Sequence, residues 1–226
     1  MKRTLLLLLL SASASLVVQA TPCVQGGTLA SYIALGSGGC TFDSLLFNNF
    51  GYTNPASGGG ISPDASGVDV DLVSGSEAGL EFVGTWLASS GETSDGNIGY
   101  LVTCQNCQID DLELIMNDGL GQGTGVASVV ETAVSSSGTV GLGTSSSPGF
   151  SSFSDTLDIT PTGSLTMTKD IGASGGSAGV GHVSAVSNLF STTTTTTMTP
   201  EPSLALLCSG LLGLLLVATR KMGVYR

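Results

Sequence analysis

From Val68 the chain reads Val68-Asp69-Val70-Asp71-Leu72-Val73, apolar and acidic side chains in turn, and a period of two fits a half-buried β-strand rather than a helix. The period recurs. Leu80, Phe82, Gly84 and Trp86 share one face of the next run, and Ile98 to Thr103, Ile109 to Met116, Asp155 to Ile159, Ser164 to Ile171 and Val183 to Phe190 are further strand candidates. Clusters of Gly, Ser, Asn, Asp and Pro separate these runs, with Asn117-Asp118-Gly119 read as a tight turn and Gly172 to Gly181 as a glycine-rich loop. No long amphipathic helical pattern interrupts them. The expectation is an all-β fold, a single antiparallel β-sandwich of jelly-roll-like form over residues 21–190. Asp43 to Tyr52 concentrates Phe47, Phe50 and Tyr52 with Leu45 and Leu46; it reads as a core-facing strand, with a short helix as the rival because Leu46, Asn49 and Phe50 also fall at helical spacing. Trp86, the only tryptophan, is expected in the core.

Both ends differ from this body. Met1-Lys2-Arg3 precedes the apolar run Leu5 to Leu10, and Val18 and Ala20 supply small or aliphatic residues before Thr21-Pro22; these are the three regions of a secretory signal peptide, expected over residues 1–20. The run is too short for the ~20 residues of a usual spanning helix. At the other end, Ser191 and the six threonines Thr192 to Thr197 form a low-complexity stretch, read as a tether over 191–199. Its single short run lacks the repeated flat spacing that an ice-binding face needs. Beyond it, Leu204 to Thr219 is apolar and Arg220, Lys221 and Arg226 follow, a pattern expected to make one membrane-spanning helix over 204–219 with its basic end held inside.

Charge narrows the partners. Of six lysines and arginines only Lys169 lies between the two terminal segments, whereas all but one of the 17 aspartates and glutamates lie there. So acidic a body repels nucleic acid and anionic headgroups. Neutral glycans, divalent cations and other proteins are the compatible partners.

Cys23, Cys40, Cys104 and Cys107 are even in number, as expected in an oxidising compartment, and four cysteines allow three pairings. Joining Cys23 to Cys40 closes a loop of about 18 residues, worth roughly 3 kcal/mol by chain entropy. That pairing is preferred. It leaves Cys104 with Cys107 as a local clip, unless that pair reaches instead to Cys23 or Cys40.

Catalytic patterns are sparse. His182 is the only histidine, no Gly-x-Ser-x-Gly elbow accompanies it, and Cys104-Gln105-Asn106-Cys107 lies between strand-like runs rather than at a helix start, so neither a serine hydrolase nor a thioredoxin-like site is expected. Zinc would need a second cysteine pair at ribbon spacing. No enzyme activity and no cofactor are expected, with calcium the one ion considered: Asp69, Asp71, Asp110, Asp111 and Glu113 offer hard oxygen ligands, although no EF-hand loop is present. A solvated acidic face explains the same residues.

Pro200-Glu201-Pro202, the apolar segment and the basic end together resemble the PEP-CTERM sorting signal of exported bacterial proteins, over about the last 27 residues. A tail of this kind is also sometimes labelled an ice-binding protein C-terminal domain. The resemblance implies that Pro200, Glu201 and Pro202 are recognised by an exosortase, that Leu204 to Thr219 is the membrane segment, and that Arg220, Lys221 and Arg226 are the cytoplasmic stop. It implies an exported chain, first an inner-membrane anchored precursor handled by the secretion machinery, then at the cell surface or outside the cell beside exopolysaccharide or biofilm matrix. Sixteen apolar residues rise only about 24 Å as a helix, which suits a temporary anchor. Two functions follow from the whole reading: a structural, biofilm-associated matrix protein without catalysis, or a calcium- or glycan-binding adhesion module.

Overall fold

The computed structural model describes residues 20–194. The expected signal peptide, Pro200-Glu201-Pro202, the segment 204–219 and Arg220, Lys221 and Arg226 lie outside the described residues. Among the described residues no helix is long and apolar enough to cross a membrane.

The elements in chain order are β1 (Thr21–Pro22), β2 (Gly27–Thr28), α1 (Leu29–Ala34), β3 (Cys40–Phe42), β4 (Leu45–Thr53), β5 (Ala56–Ser57), β6 (Asp69–Val73), β7 (Ala78–Ala88), β8 (Thr93–Cys104), β9 (Cys107–Gln122), β10 (Val126–Ser135), β11 (Gly138–Ser147), β12 (Phe150–Ser152), β13 (Ser154–Thr162), β14 (Ser164–Ser174) and β15 (Val180–Thr194). They form two sheets. The larger runs β1-β3-β4-β8-β14-β10-β11-β12, with β5 also on β8, and the smaller runs β13-β9-β15-β7-β6-β2. The long neighbours β4–β8, β8–β14, β14–β10 and β10–β11 are antiparallel, as are β9–β13, β15–β7 and β7–β6. The two-residue β1 departs from the antiparallel expectation and lies parallel to β3.

Period-two alternation in the sequence becomes the wall of the core. In β8 every second residue from Ser94 to Cys104 is buried, and in β14 Leu165, Met167, Lys169, Ile171 and Ala173 point inward. Facing them from the smaller sheet are Val70, Leu80, Phe82, Trp86, Leu112, Leu114, Val186 and Phe190. The Phe47 and Phe190 rings lie 6.1 Å apart and those of Phe82 and Tyr100 lie 5.9 Å apart, so aromatic contacts join the layers. Burial of each such large apolar side chain is worth about 1.5–3 kcal/mol.

Strand replaces the helical alternative at 45–53. Asn49 takes a φ of 54° and the β4–β8 register shifts between Asn48 and Gly51, which explains why apolar side chains there mimic helical spacing. The only helix among the described residues is α1, capped by the Thr28 side chain, which accepts from the Ser31 N–H at 3.3 Å. Both expected pairings of cysteine are present: Cys23–Cys40 and Cys104–Cys107. The second sits where the chain leaves β8 in one sheet and enters β9 in the other.

Three expectations change. The loop expected over Gly172 to Gly181 is narrower, because β14 runs on to Ser174 and β15 starts at Val180. Asn117-Asp118-Gly119 is not a turn but part of β9, because lateral bonds hold it extended: the Asn117 amide donates to Glu81 and Ser187, and Ser184 donates to Asp118 at 2.9 Å. Glycine at 119 makes room for the Met116 thioether, which a Cβ would meet at 2.4 Å. The last strand also continues four residues past Phe190, so the start of the expected 191–199 tether belongs to the sandwich. Threonine suits a strand, and the Ser191 hydroxyl is anchored on Glu77 at 2.9 Å.

Candidate functional site

Exposed aromatic rings are rare on this surface, and two of them lie close in sequence where the chain passes from one sheet to the other. Phe150 is 61% and Phe153 44% exposed. Phe153 lies between β12 and β13, and its carbonyl accepts the Met116 N–H at 2.8 Å, which ties the crossover to β9. Past this point β13 no longer pairs with β9, whose register ends at Ile115 opposite Ser154. The result is a shallow groove of ≈ 270 Å³ lined by Ile115, Met116, Asn117, Asp118, Gly119 and Phe153. An aromatic face beside a side-chain amide and a carboxylate offers both a stacking surface and hydrogen-bonding groups. The polar pair is held in place from below: Asn117 donates to the Ser187 hydroxyl at 2.6 Å and Asp118 accepts from Ser184 at 2.9 Å.

The five carboxylates singled out in the sequence do not come together. Asp69 and Asp71 are in β6, separated from Asp110, Asp111 and Glu113 in β9 by β7 and β15. Asp71 accepts from the Gln25 amide at 2.8 Å and stands opposite Glu81. Asp111 stands opposite Asp158 of β13. Burial first, and then the negative charges of Glu77, Asp158 and Glu113, push the Asp111 carboxyl up to about 6. Glu113 is raised by burial and by Glu77. Among the described residues no three carboxylate, histidine or cysteine side chains converge on a cation site.

A second polar group lies inside the sandwich. Lys169 of β14, Glu131 of β10 and Asn188 of β15 are all fully buried, and Tyr100 of β8 is nearly so. The Lys169 ammonium donates to Glu131 Oε2 at 2.6 Å, the Asn188 amide donates to Glu131 Oε1 at 2.5 Å, and the Tyr100 hydroxyl donates to Asn188 Oδ1 at 3.0 Å. Burial pushes the Lys169 amine down against the opposing pull of Glu131, and burial pushes the Tyr100 phenol far up.

Sequence reasoning missed Phe153, Glu77, Asp158 and this buried chain. For Lys169 the signal was available, since it falls on the same phase of the alternation as Leu165, Met167 and Ile171. Asn188 likewise shares the phase of Val186 and Phe190.

A two-layer, nearly all-β sandwich with two disulfides is the class that this architecture defines. No protein-family model matches the chain, and no curated protein sequence matches it. Among solved structures it is similar to TmCBM61 in complex with β-1,4-galactotriose, with 11% identity, a TM-score of 0.31, and 61% of this chain and 86% of that one covered. It is similar also to a family 11 carbohydrate-binding module from Clostridium thermocellum in complex with a β-1,3-1,4-mixed-linked tetrasaccharide, with 10% identity, a TM-score of 0.24, and coverage of 60% and 87%. A third similarity is to the enzymatically active domain of bacteriophage CBA120 tailspike protein 4, with 13% identity, a TM-score of 0.27, and coverage of 61% and 19%.

Proposed function

We propose that the sandwich is a non-catalytic adhesion module that contacts neutral glycan, carried on an exported chain whose Pro200-Glu201-Pro202 tail is read by an exosortase. The observation that carries the glycan part is the groove beside Phe153: an exposed ring can stack on the apolar face of a sugar while Asn117 and Asp118 meet its hydroxyls. An acidic body favours neutral over anionic polysaccharide. The strand orders β8-β14-β10-β11 and β9-β13 support the finer, jelly-roll-like description of the sandwich. Calcium has no comparable support, because the candidate ligands are split between β6 and β9.

The glycan reading is tested by affinity electrophoresis of the protein through gels holding single neutral polysaccharides. Retention by at least one, with Phe153→Ala running at least several-fold less retarded, is the expected result. If no polysaccharide slows the native protein, the module is better regarded as a matrix scaffold. Sorting is tested separately by removing residues 200–226. The reading expects loss of envelope retention and processing; an unchanged distribution overturns it.

A further inference from the structure

The geometry points to an intramolecular amide bond between the Lys169 side chain and the Asn188 side chain, formed by the folded protein itself with Glu131 as the proton-transferring group and ammonia as the leaving group. This inference concerns the core and is independent of the glycan reading.

Three observations carry it. The first is placement. Lys169 is the only lysine or arginine among the described residues, and it is fully enclosed in a domain whose acidic surface has ample use for a cation. Fully buried ion pairs seldom stabilise more than an apolar replacement would, so solubility and stability do not account for this one. The second is convergence. One carboxylate, that of Glu131, holds the Lys169 nitrogen on Oε2 and the Asn188 amide nitrogen on Oε1, so nucleophile and leaving group sit on the two oxygens of a single acid–base group. The third is the Tyr100 hydroxyl, which donates to Asn188 Oδ1, the oxygen on which negative charge would collect. Phe47, Phe50 and Phe82 pack around the Tyr100 ring and exclude water from the cluster.

The chemistry balances without any co-reactant. In this dry setting a proton passes from the lysine to Glu131, leaving a neutral amine and a carboxylic acid; burial, which lowers the Lys169 value, favours that transfer. The Nζ lone pair attacks Asn188 Cγ, and Tyr100 stabilises the resulting oxyanion. Glu131 gives its proton to Nδ2 and takes one from Nζ. The Cγ–Nδ2 bond breaks, ammonia leaves, and Glu131 is returned as the carboxylic acid. Nothing is oxidised or reduced. The product has no charge left in the core, and it joins β14 of one sheet to β15 of the other, a covalent link between the layers in addition to the Cys104–Cys107 bridge.

Peptide mapping of the purified protein decides the matter. After denaturation and reduction, cleavage at Asp and Glu cuts beyond Asp158 and Asp170, separating the segment that holds Lys169 from the segment that holds Asn188. The expected product is one branched peptide whose mass is that of the two segments less one ammonia, with fragmentation placing the junction at Lys169 and Asn188. Recovery of both segments as unmodified linear peptides overturns the proposal. Glu131→Gln keeps the shape of the side chain but cannot exchange a proton in this way, and it is expected to give linear peptides while Trp86 emission stays that of a buried indole. A branched peptide from that variant would overturn the role of Glu131. If the variant does not fold, the native protein's map alone decides.

Discussion

The backbone of Gly96 lies against the indole of Trp86, so close that a Cβ on Gly96 would stand 2.2 Å from Nε1. Gly84 does the same from within β7, where a Cβ would meet the ring at 2.9 Å. Trp86 is fully buried between them, as its place in the alternation predicts. Gly96→Ala forces the ring or the strand to move, and such overpacking costs about 1–3 kcal/mol. Guanidinium unfolding followed by Trp86 fluorescence measures it. An unshifted midpoint would show that the seat is looser than the contacts imply.

The two disulfides differ in what they constrain. Cys23–Cys40 spans 17 residues and ties β1 to β3, whereas Cys104–Cys107 spans 3 at the passage between sheets. Replacing Cys23 and Cys40 by serine is expected to remove about 3 kcal/mol by chain entropy, and replacing the other pair clearly less. Thermal melts of the two double variants should therefore separate. Equal losses would mean that the clip at the sheet crossing matters for its geometry rather than for the length of loop that it closes.

Asn106 stands within that clip at a φ of 62°, a left-handed conformation that asparagine tolerates better than most residues. Asn106→Ala should lower stability by about 1 kcal/mol, and Asn106→Gly should leave it level or higher. Denaturant midpoints of the pair check the sign. If alanine is as good as glycine, the turn relaxes out of the left-handed region at little cost.

Acid should stabilise the domain over a defined range. The carboxyls of Asp95 and Asp111 are each pushed up to about 6, chiefly by burial, with Asp170 beside the first and Glu77 beside the second. In an unfolded chain they would titrate near ~3.9. A carboxyl raised on folding favours the folded state while protonated, so its contribution is complete below ~3.9 and lost as pH rises through about 6. Asp64, held low by Ser66 and Gly67, works the other way only as the pH falls into the acid range. The melting temperature at about pH 5 should exceed that at about pH 7.5. A melting temperature that is flat or rises with pH would show that these carboxyls are not strained.

Most of the sandwich is legible in the sequence, because a sheet with one buried face writes its period directly into the residues. The runs around Val70, Phe82, Ile98 and Met167 all appear as strands, and the sequence-based cysteine pairing is the one that forms. Failures come where local chemistry and lateral bonding disagree. Asn117-Asp118-Gly119 has the composition of a hairpin turn, yet bonds from Glu81, Ser184 and Ser187, all distant in sequence, keep it extended. The Phe153 groove is illegible for a related reason: it exists because β13 ends its pairing opposite Ile115, a matter of register. Acidic residues adjacent in sequence scatter to different strands, so counting carboxylates along the chain says little about which of them meet.

Lys169 has one more consequence. Enzymes of trypsin's specificity must draw a lysine or arginine into a pocket before they cut, and the described surface presents neither. Amine-directed reagents likewise find no lysine on it. Among the described residues, moving the one lysine indoors leaves such enzymes no side chain at which to begin.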